Sequence, residues 1–315
     1  MDLLLVFPIF SLLPSLLRIL FLSSLLFFSS FVFASENNSK ASPTQRQCIE
    51  GHFSALLHLK QGFNFSNDSK TTLSSWNPDN RDCCSWEGIT CDGATGHVIS
   101  LDLSELSIYG QIDFESLFHL RSLQSLNLAY NNFDSSPIPS GFDQLTSLTH
   151  LNLSSSDFYG QIPLEISLLT SLVSLDLSYN PLQLNNPNMG TLLQNLSSLR
   201  ELYLDYVNIS AEGGEWGPAV SSSLPRLRKL SLSDCYLSGP IHSSLSKLHF
   251  LSELDLSYNN PFSVLPNFMG NFSSLTSLRL IGCGLQGEFP ESIFRLPNLK
   301  TLYVSYNPLL TGEIP

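Results

Sequence analysis

The residues best suited to chemistry in this chain are cysteines. Cys48, Cys83, Cys84 and Cys91 fall in one N-terminal stretch together with Trp76 and Trp86. Thiols grouped this way oxidise to disulfides or, as thiolates, hold zinc. Four cysteines allow three connectivities. Cys48–Cys83 with Cys84–Cys91 is the preferred one: adjacent cysteines do not readily bond each other, and the short interval from Cys84 to Cys91 suits a local clip. Zinc is disfavoured in a chain with export signals. Catalytic sets are harder to assemble. His52, His58, His97, His119, His150, His242 and His249 are scattered, with no Ser-His-Asp, metal-ligand or phosphate-loop spacing. Asp102, Asp176 and Asp255 recur at one repeat position. They belong to separate repeats and read as solvated acids. No catalytic residue, cofactor site or metal site is expected, so the chain is not read as an enzyme.

What must position these residues is a repeat. The phrase Leu-x-x-Leu-x-Leu occurs nine times, its second leucine at Leu101, Leu126, Leu151, Leu175, Leu202, Leu230, Leu254, Leu278 and Leu302. Intervals of 24 to 28 residues mark a leucine-rich-repeat solenoid. The expected fold is an α/β repeat: a right-handed solenoid, a parallel sheet on its concave face and a disulfide-stapled N-terminal cap. Alternation around each leucine predicts a short strand. In the second repeat Leu126 and Leu128 point inward, leaving Gln124, Ser125, Asn127, Ala129 and Tyr130 for the concave face. Nine strands at about 4.8 Å span roughly 40 Å.

Five positions beyond the strand leucine stand Asn131, Asn180, Asn259 and Asn307, with Cys235 and Cys283 in the same slot. An Asn amide both donates and accepts, so a stack of them can satisfy buried backbone groups. Ser156 fills the slot in part; Leu106 and Val207 should interrupt the ladder. Cys235 and Cys283, two repeats apart, are too distant to bridge. A Gly-x-Ile-Pro phrase follows, as in Gly160-Gln161-Ile162-Pro163, then a short helical segment such as 164–169 or 292–295. Leu56, Leu57 and Leu59 suggest a helix in the cap. Extra residues in 181–196 and 208–225 should bulge as loops, with Trp216 plugging its own.

Bulk properties narrow the partners. The formal net charge is −12 and only 13% of residues are charged. Nucleic acid is not expected, since phosphate binding needs clustered Lys and Arg. Residues 1–34 read as a signal peptide with cleavage after Ala34; a retained N-terminal anchor is the alternative. Residues 35–47 are read as a flexible mature N-terminus, 48–97 as the cap and 98–315 as about nine repeats, the last incomplete. Glycan acceptor sequons lie at Asn37, Asn64, Asn67, Asn152, Asn195, Asn208 and Asn271. No second apolar run of membrane-spanning length follows. The absence of a closing Cys pair reads as a fragment, a truncation or reliance on a partner.

The cap sequence Ser75-Trp76-Asn77-Pro78 … Cys83-Cys84-Ser85-Trp86-Glu87-Gly88-Ile89-Thr90-Cys91-Asp92 resembles that of plant extracellular leucine-rich-repeat proteins. The paired Cys83-Cys84 and the run 231–241 narrow the resemblance to plant disease-resistance receptor-like proteins of the Verticillium-wilt and Cf types. It implies a cell-surface immune receptor without a kinase. Such a receptor senses a protein, peptide or glycan ligand and signals through a receptor-like kinase co-receptor. The site would be the outer face of the plasma membrane in a full-length form, or the apoplast if this chain is complete. Candidate contacts are Arg200, Glu201, Tyr203, Asp205 and Tyr206 on one repeat, continued by Arg228, Lys229, Glu253, Asp255, Arg279 and Tyr303. Tyr and Arg are favoured at binding hot spots. Tyr130, Tyr179, Tyr258 and Tyr306 all precede the ladder Asn, which suggests a scaffold role. The alternative is a secreted inhibitor similar to polygalacturonase-inhibiting proteins.

Overall fold

The computed structural model describes residues 47–66, 72–259 and 264–312. The expected signal segment 1–34, residues 35–46, and the sequons at Asn37 and Asn67 lie outside them.

Each leucine phrase folds as one short strand of a single sheet. Strand β1 (Ile89–Cys91) belongs to the cap. The repeats supply β2 (Val98–Asp102), β3 (Ser125–Asn127), β4 (His150–Asn152), β5 (Ser174–Asp176) and β6 (Glu201–Tyr203). They continue with β7 (Lys229–Ser231), β8 (Glu253–Asp255), β9 (Ser277–Arg279) and β10 (Thr301–Tyr303). Strands β2 to β10 are parallel and pair leucine to leucine, as in Leu202 with Leu175 and Leu230. The cap strand β1 runs the other way, Thr90 opposite Ser100. The three apolar positions of the phrase are buried, as at Leu123, Leu126 and Leu128, except in the last repeat, where Leu299, Leu302 and Val304 are half-buried. Each such side chain contributes on the order of 2 kcal/mol. Ala129, expected on the concave face, is instead buried.

The amide ladder is present and spans adjacent turns. Asn180 donates from Nδ2 to the carbonyls of Leu153, Leu177 and Ser178 at 2.9, 3.0 and 3.1 Å. Its Oδ1 accepts from the amides of Ser156 and Phe158, both at 3.0 Å. Asn259 repeats the arrangement against the turn of Cys235, and Asn307 against the turn of Cys283. Cysteine can donate here but leaves no side-chain acceptor. Cys235 Sγ donates to Leu204 O at 3.0 Å, and Ile209 N turns to the Cys235 carbonyl at 3.1 Å. Ser156 behaves alike, with Phe133 N on its carbonyl at 3.1 Å. Leu106 and Val207 bring only apolar side chains to the slot. The residue before the slot is left-handed in all nine repeats, from Glu105 (φ 58°) to Tyr306 (φ 58°). That conformation swings its side chain outward, which is why the tyrosines there are exposed.

The stretched repeats are not loops. Residues Met189–Leu193 and Gly213–Ser223 form helices. In the second, Glu212 and Glu215 make a capping box, and Trp216, Val220 and Leu224 fall at helical spacing on one buried face. Local capping and an apolar stripe thus override the tendency of insertions to bulge. Trp216 is fully buried, in accord with a plug.

In the cap, the helix Glu50–Gln61 buries Phe53, Leu56 and Leu59. Trp76 and Trp86 stack at 5.6 Å, and their indole N–H groups donate to the Glu87 and Asn80 carbonyls. Disulfides join Cys48 to Cys83 and Cys84 to Cys91, with Cα separations of 5.2 and 5.5 Å. Three of these sulfurs lie within 4.8 Å of one another, but all four are committed to S–S bonds. Cys235 and Cys283 are free thiols, both buried. Among the described residues, no helix is long and apolar enough to cross a membrane.

Candidate ligand-recognition face

Two columns of side chains cover the concave sheet. One precedes each strand leucine: Ser100, Ser125, His150, Ser174, Glu201, Lys229, Glu253, Ser277 and Thr301. The other follows it: Asp102, Asn127, Asn152, Asp176, Tyr203, Ser231, Asp255, Arg279 and Tyr303. Its acids and amides are not merely solvated. Asp102, Asp176 and Asp255 each accept the backbone N–H two residues on, at 3.1, 3.0 and 2.9 Å. Asn127 and Asn152 do the same at 3.2 and 3.0 Å. These are Asx turns that hold the chain as it leaves the strand. The recurring acids, read from the sequence as solvated, are therefore occupied with the backbone.

Over β6 to β9 the columns change character and enclose a shallow pocket of about 370 Å³. Tyr179 and Tyr258 stand on its rim, Tyr203, Lys229 and Arg279 on its floor, and Asp205, Glu253 and Asp255 supply the acids. Lys229 Nζ lies between Glu201 and Glu253, 3.3 and 3.8 Å from their carboxylate oxygens. Arg279 is 3.9 Å from Asp255 and sits over the Tyr303 ring at 5.2 Å. Asp205 accepts from Ser231 Oγ at 2.6 Å and Ser233 N at 2.8 Å. Burial pushes the Asp205 carboxyl up from its ordinary range, against these hydrogen bonds, with Asp255 and Asp176 adding repulsion. Asp176 is likewise raised by burial. Tyr203 is raised by burial and by Glu201. For Lys229 burial works downward, but Tyr203 and Glu201 outweigh it and the ammonium is held more firmly. The floor is thus a paired charge network at which an incoming cation or anion would exchange partners.

Of the candidate contacts, the structure brings Tyr203, Asp205 and Arg279 together, with Lys229, Glu253 and Asp255. Glu201 lies on the boundary with a second groove over β3 to β6, about 410 Å³, lined by Ser125, Asn127, His150, Asn152 and Asp176. Arg200 and Arg228 do not reach the pocket. They precede their strands, and their carbonyls accept the amides of Arg228 and Ser252, both at 2.7 Å. Tyr206 does not line the pocket; it stacks on Tyr179 at 6.4 Å and lines a separate groove with Asn208, Asp234 and Tyr236. Tyr303 lies one strand beyond the pocket, under Arg279. Tyr179 and Tyr258 were absent from the candidates. Their recurrence before the ladder Asn was the available signal. The backbone at that position is scaffold, while the ring is surface. Among the sequons, Asn64, Asn195 and Asn271 are exposed, and Asn152 and Asn208 are half-buried.

Comparison with known proteins agrees with this architecture. The family described as "Leucine rich repeat N-terminal domain" matches residues 53–92. "Leucine Rich Repeat" matches residues 122–145, 226–248 and 274–296. These descriptions name a cap and a repeat and no enzyme. Receptor-like protein 6 of Arabidopsis thaliana is 39% identical over 84% of this chain and 28% of its own length. The receptor-like protein Cf-9 homolog of Solanum lycopersicum is 35% identical over 76% of this chain and 22% of its own. The chain therefore spans less than a third of the length of these relatives. The ectodomain of the Arabidopsis thaliana membrane receptor kinase GASSHO1/SCHENGEN3, solved in complex with CASPARIAN STRIP INTEGRITY FACTOR 2, superposes with a TM-score of 0.66. The match is 30% identical and covers 84% of this chain and 33% of that one. The chain is a leucine-rich-repeat protein with an N-terminal repeat cap, and its sequence relatives are plant receptor-like proteins.

Proposed function

We propose that this chain is an extracellular recognition module of a plant cell-surface immune receptor. Its concave face over β6 to β9 binds a microbial or self-derived ligand, and the receptor signals through a partner receptor-like kinase. The observation that carries the reading is the pocket itself. Exposed tyrosine rings, an Arg and a Lys converge there, whereas β2 to β5 present mainly Ser, Asn and Asp with His150. Aromatic and Arg side chains are the usual anchors of protein interfaces. The structural neighbour's complex supports a recognition role for such ectodomains. Three acids against two bases in the lining, with Glu201 beside Lys229 at its edge, favour a ligand with exposed cationic groups, and a basic peptide segment fits best. The test is to immobilise the secreted chain and pass over it fractionated microbial culture filtrate and plant apoplastic fluid. A peptide retained by the native chain and lost by the double variant D205K/R279E is the expected result. Equal retention by that variant would move recognition off this face.

A further inference from the structure

One sequon, Asn152-Leu153-Ser154, lies on the concave sheet itself. Asn152 Oδ1 accepts from Ser154 N at 3.0 Å and from Ser154 Oγ at 2.8 Å. Its Nδ2, the atom that carries an N-linked glycan, donates to no atom among the described residues. The turn needs only the oxygen, because Asp102, Asp176 and Asp255 hold the same turn with a carboxylate. Asn127 also supplies that oxygen, but Ala129 follows it where a hydroxyl would complete an acceptor site. Asparagine at position 152 is therefore surplus to what the fold requires. Its surroundings have room. Asn127 and Asp176 flank it on the neighbouring strands, and Ser125, His150 and Ser174 complete the groove of about 410 Å³. No Lys or Arg reaches across that groove.

We propose that Asn152 carries an N-linked glycan that stands over β3 to β5 and closes that half of the concave face. The pocket over β6 to β9 is then the open half, so the glycan sets which strands a ligand can read. This inference rests on the secretory, concave-recognition reading above. The protein is secreted from plant cells as the native chain and as N152D, in which Asp keeps the turn oxygen. Peptide mass spectrometry is expected to find a glycan at Asn152, with N152D losing that one glycan and keeping the native unfolding midpoint. Diethyl pyrocarbonate then reports cover. His150, exposed on the same strand, should acylate several-fold more slowly in the native protein than in N152D. His242 and His249, exposed elsewhere, should not change. Glycans at Asn195 and Asn271 with a bare Asn152 overturn this proposal and leave secretion standing. No glycan at any of the three overturns the secretory reading as well. Equal acylation of His150 in the two proteins overturns the cover.

Discussion

Asn180→Ala removes a fully engaged rung of the buried ladder, and its cost can be worked from the contacts. The native side chain makes five hydrogen bonds, all buried, to two adjacent turns. Truncation strands the amides of Ser156 and Phe158, each a loss of about 1–3 kcal/mol when no water replaces the partner. The carbonyls suffer less, since Ser178 O still accepts from Ser155 N at 2.9 Å. A water entering the vacated slot would recover part of the loss, so the expected destabilisation is about 3 kcal/mol. Asn180→Cys should cost less, because Cys235 shows a thiol donating in the same slot while the preceding turn shifts an amide to the slot carbonyl. Urea unfolding gives the free energies. Amide hydrogen exchange gives the location: Ser156 and Phe158 should lose protection while Val98, hydrogen-bonded in the cap, keeps it, because each turn of a solenoid leans mainly on its neighbours. An Asn180→Ala protein within about 0.5 kcal/mol of the native one, with exchange unchanged, would refute the reasoning.

Two further outcomes follow from buried titratable groups. His52 Nδ1 accepts the Val98 N–H at 2.9 Å, and burial, aided by His97, pulls its pKa from 6.5 down to about 4. The unfolded chain then takes up the proton first. Stability is full above pH 6.5, declines as pH falls toward 4 and is flat below, the total change being at most about 3 kcal/mol. Urea midpoints between pH 7 and 4 should show this fall and His52→Gln should flatten it; equal slopes would sink the assignment. Burial also pushes the Cys283 thiol up to about 12 and Cys235 well above its ordinary value. Iodoacetamide at pH 8 should therefore label neither until the protein is unfolded, and rapid native labelling would contradict their place in the ladder.

The repeat, the slot residues and the cap were legible in the sequence because each is a local pattern with one physical meaning. Leu202 must face inward whatever surrounds it, and Cys84 can reach Cys91 but hardly Cys83. The helix around Trp216 was missed because the turn-like Gly213-Gly214 obscured a capping box that only Glu212 and Glu215 reveal. The site was half legible. Tyr203, Asp205 and Arg279 stood out by residue type at concave positions. Arg200 and Arg228 share those types but sit two residues before the strand leucine rather than after it, and so leave the pocket. Tyr179 and Tyr258 required the left-handed backbone at their position, which nothing in a tyrosine announces. The pairing of Lys229 with two glutamates depends on strands of neighbouring repeats and no single repeat encodes it.

The reversed strand of the cap has a consequence for self-association. A second molecule approaching that edge would meet three residues running the wrong way, with Cys91 pinned to Cys84. It would find no row of leucines waiting for another coil. Head-to-tail polymerisation, the standing hazard of any protein built by translation along one axis, is thereby denied its parallel leucine-to-leucine register at this terminus.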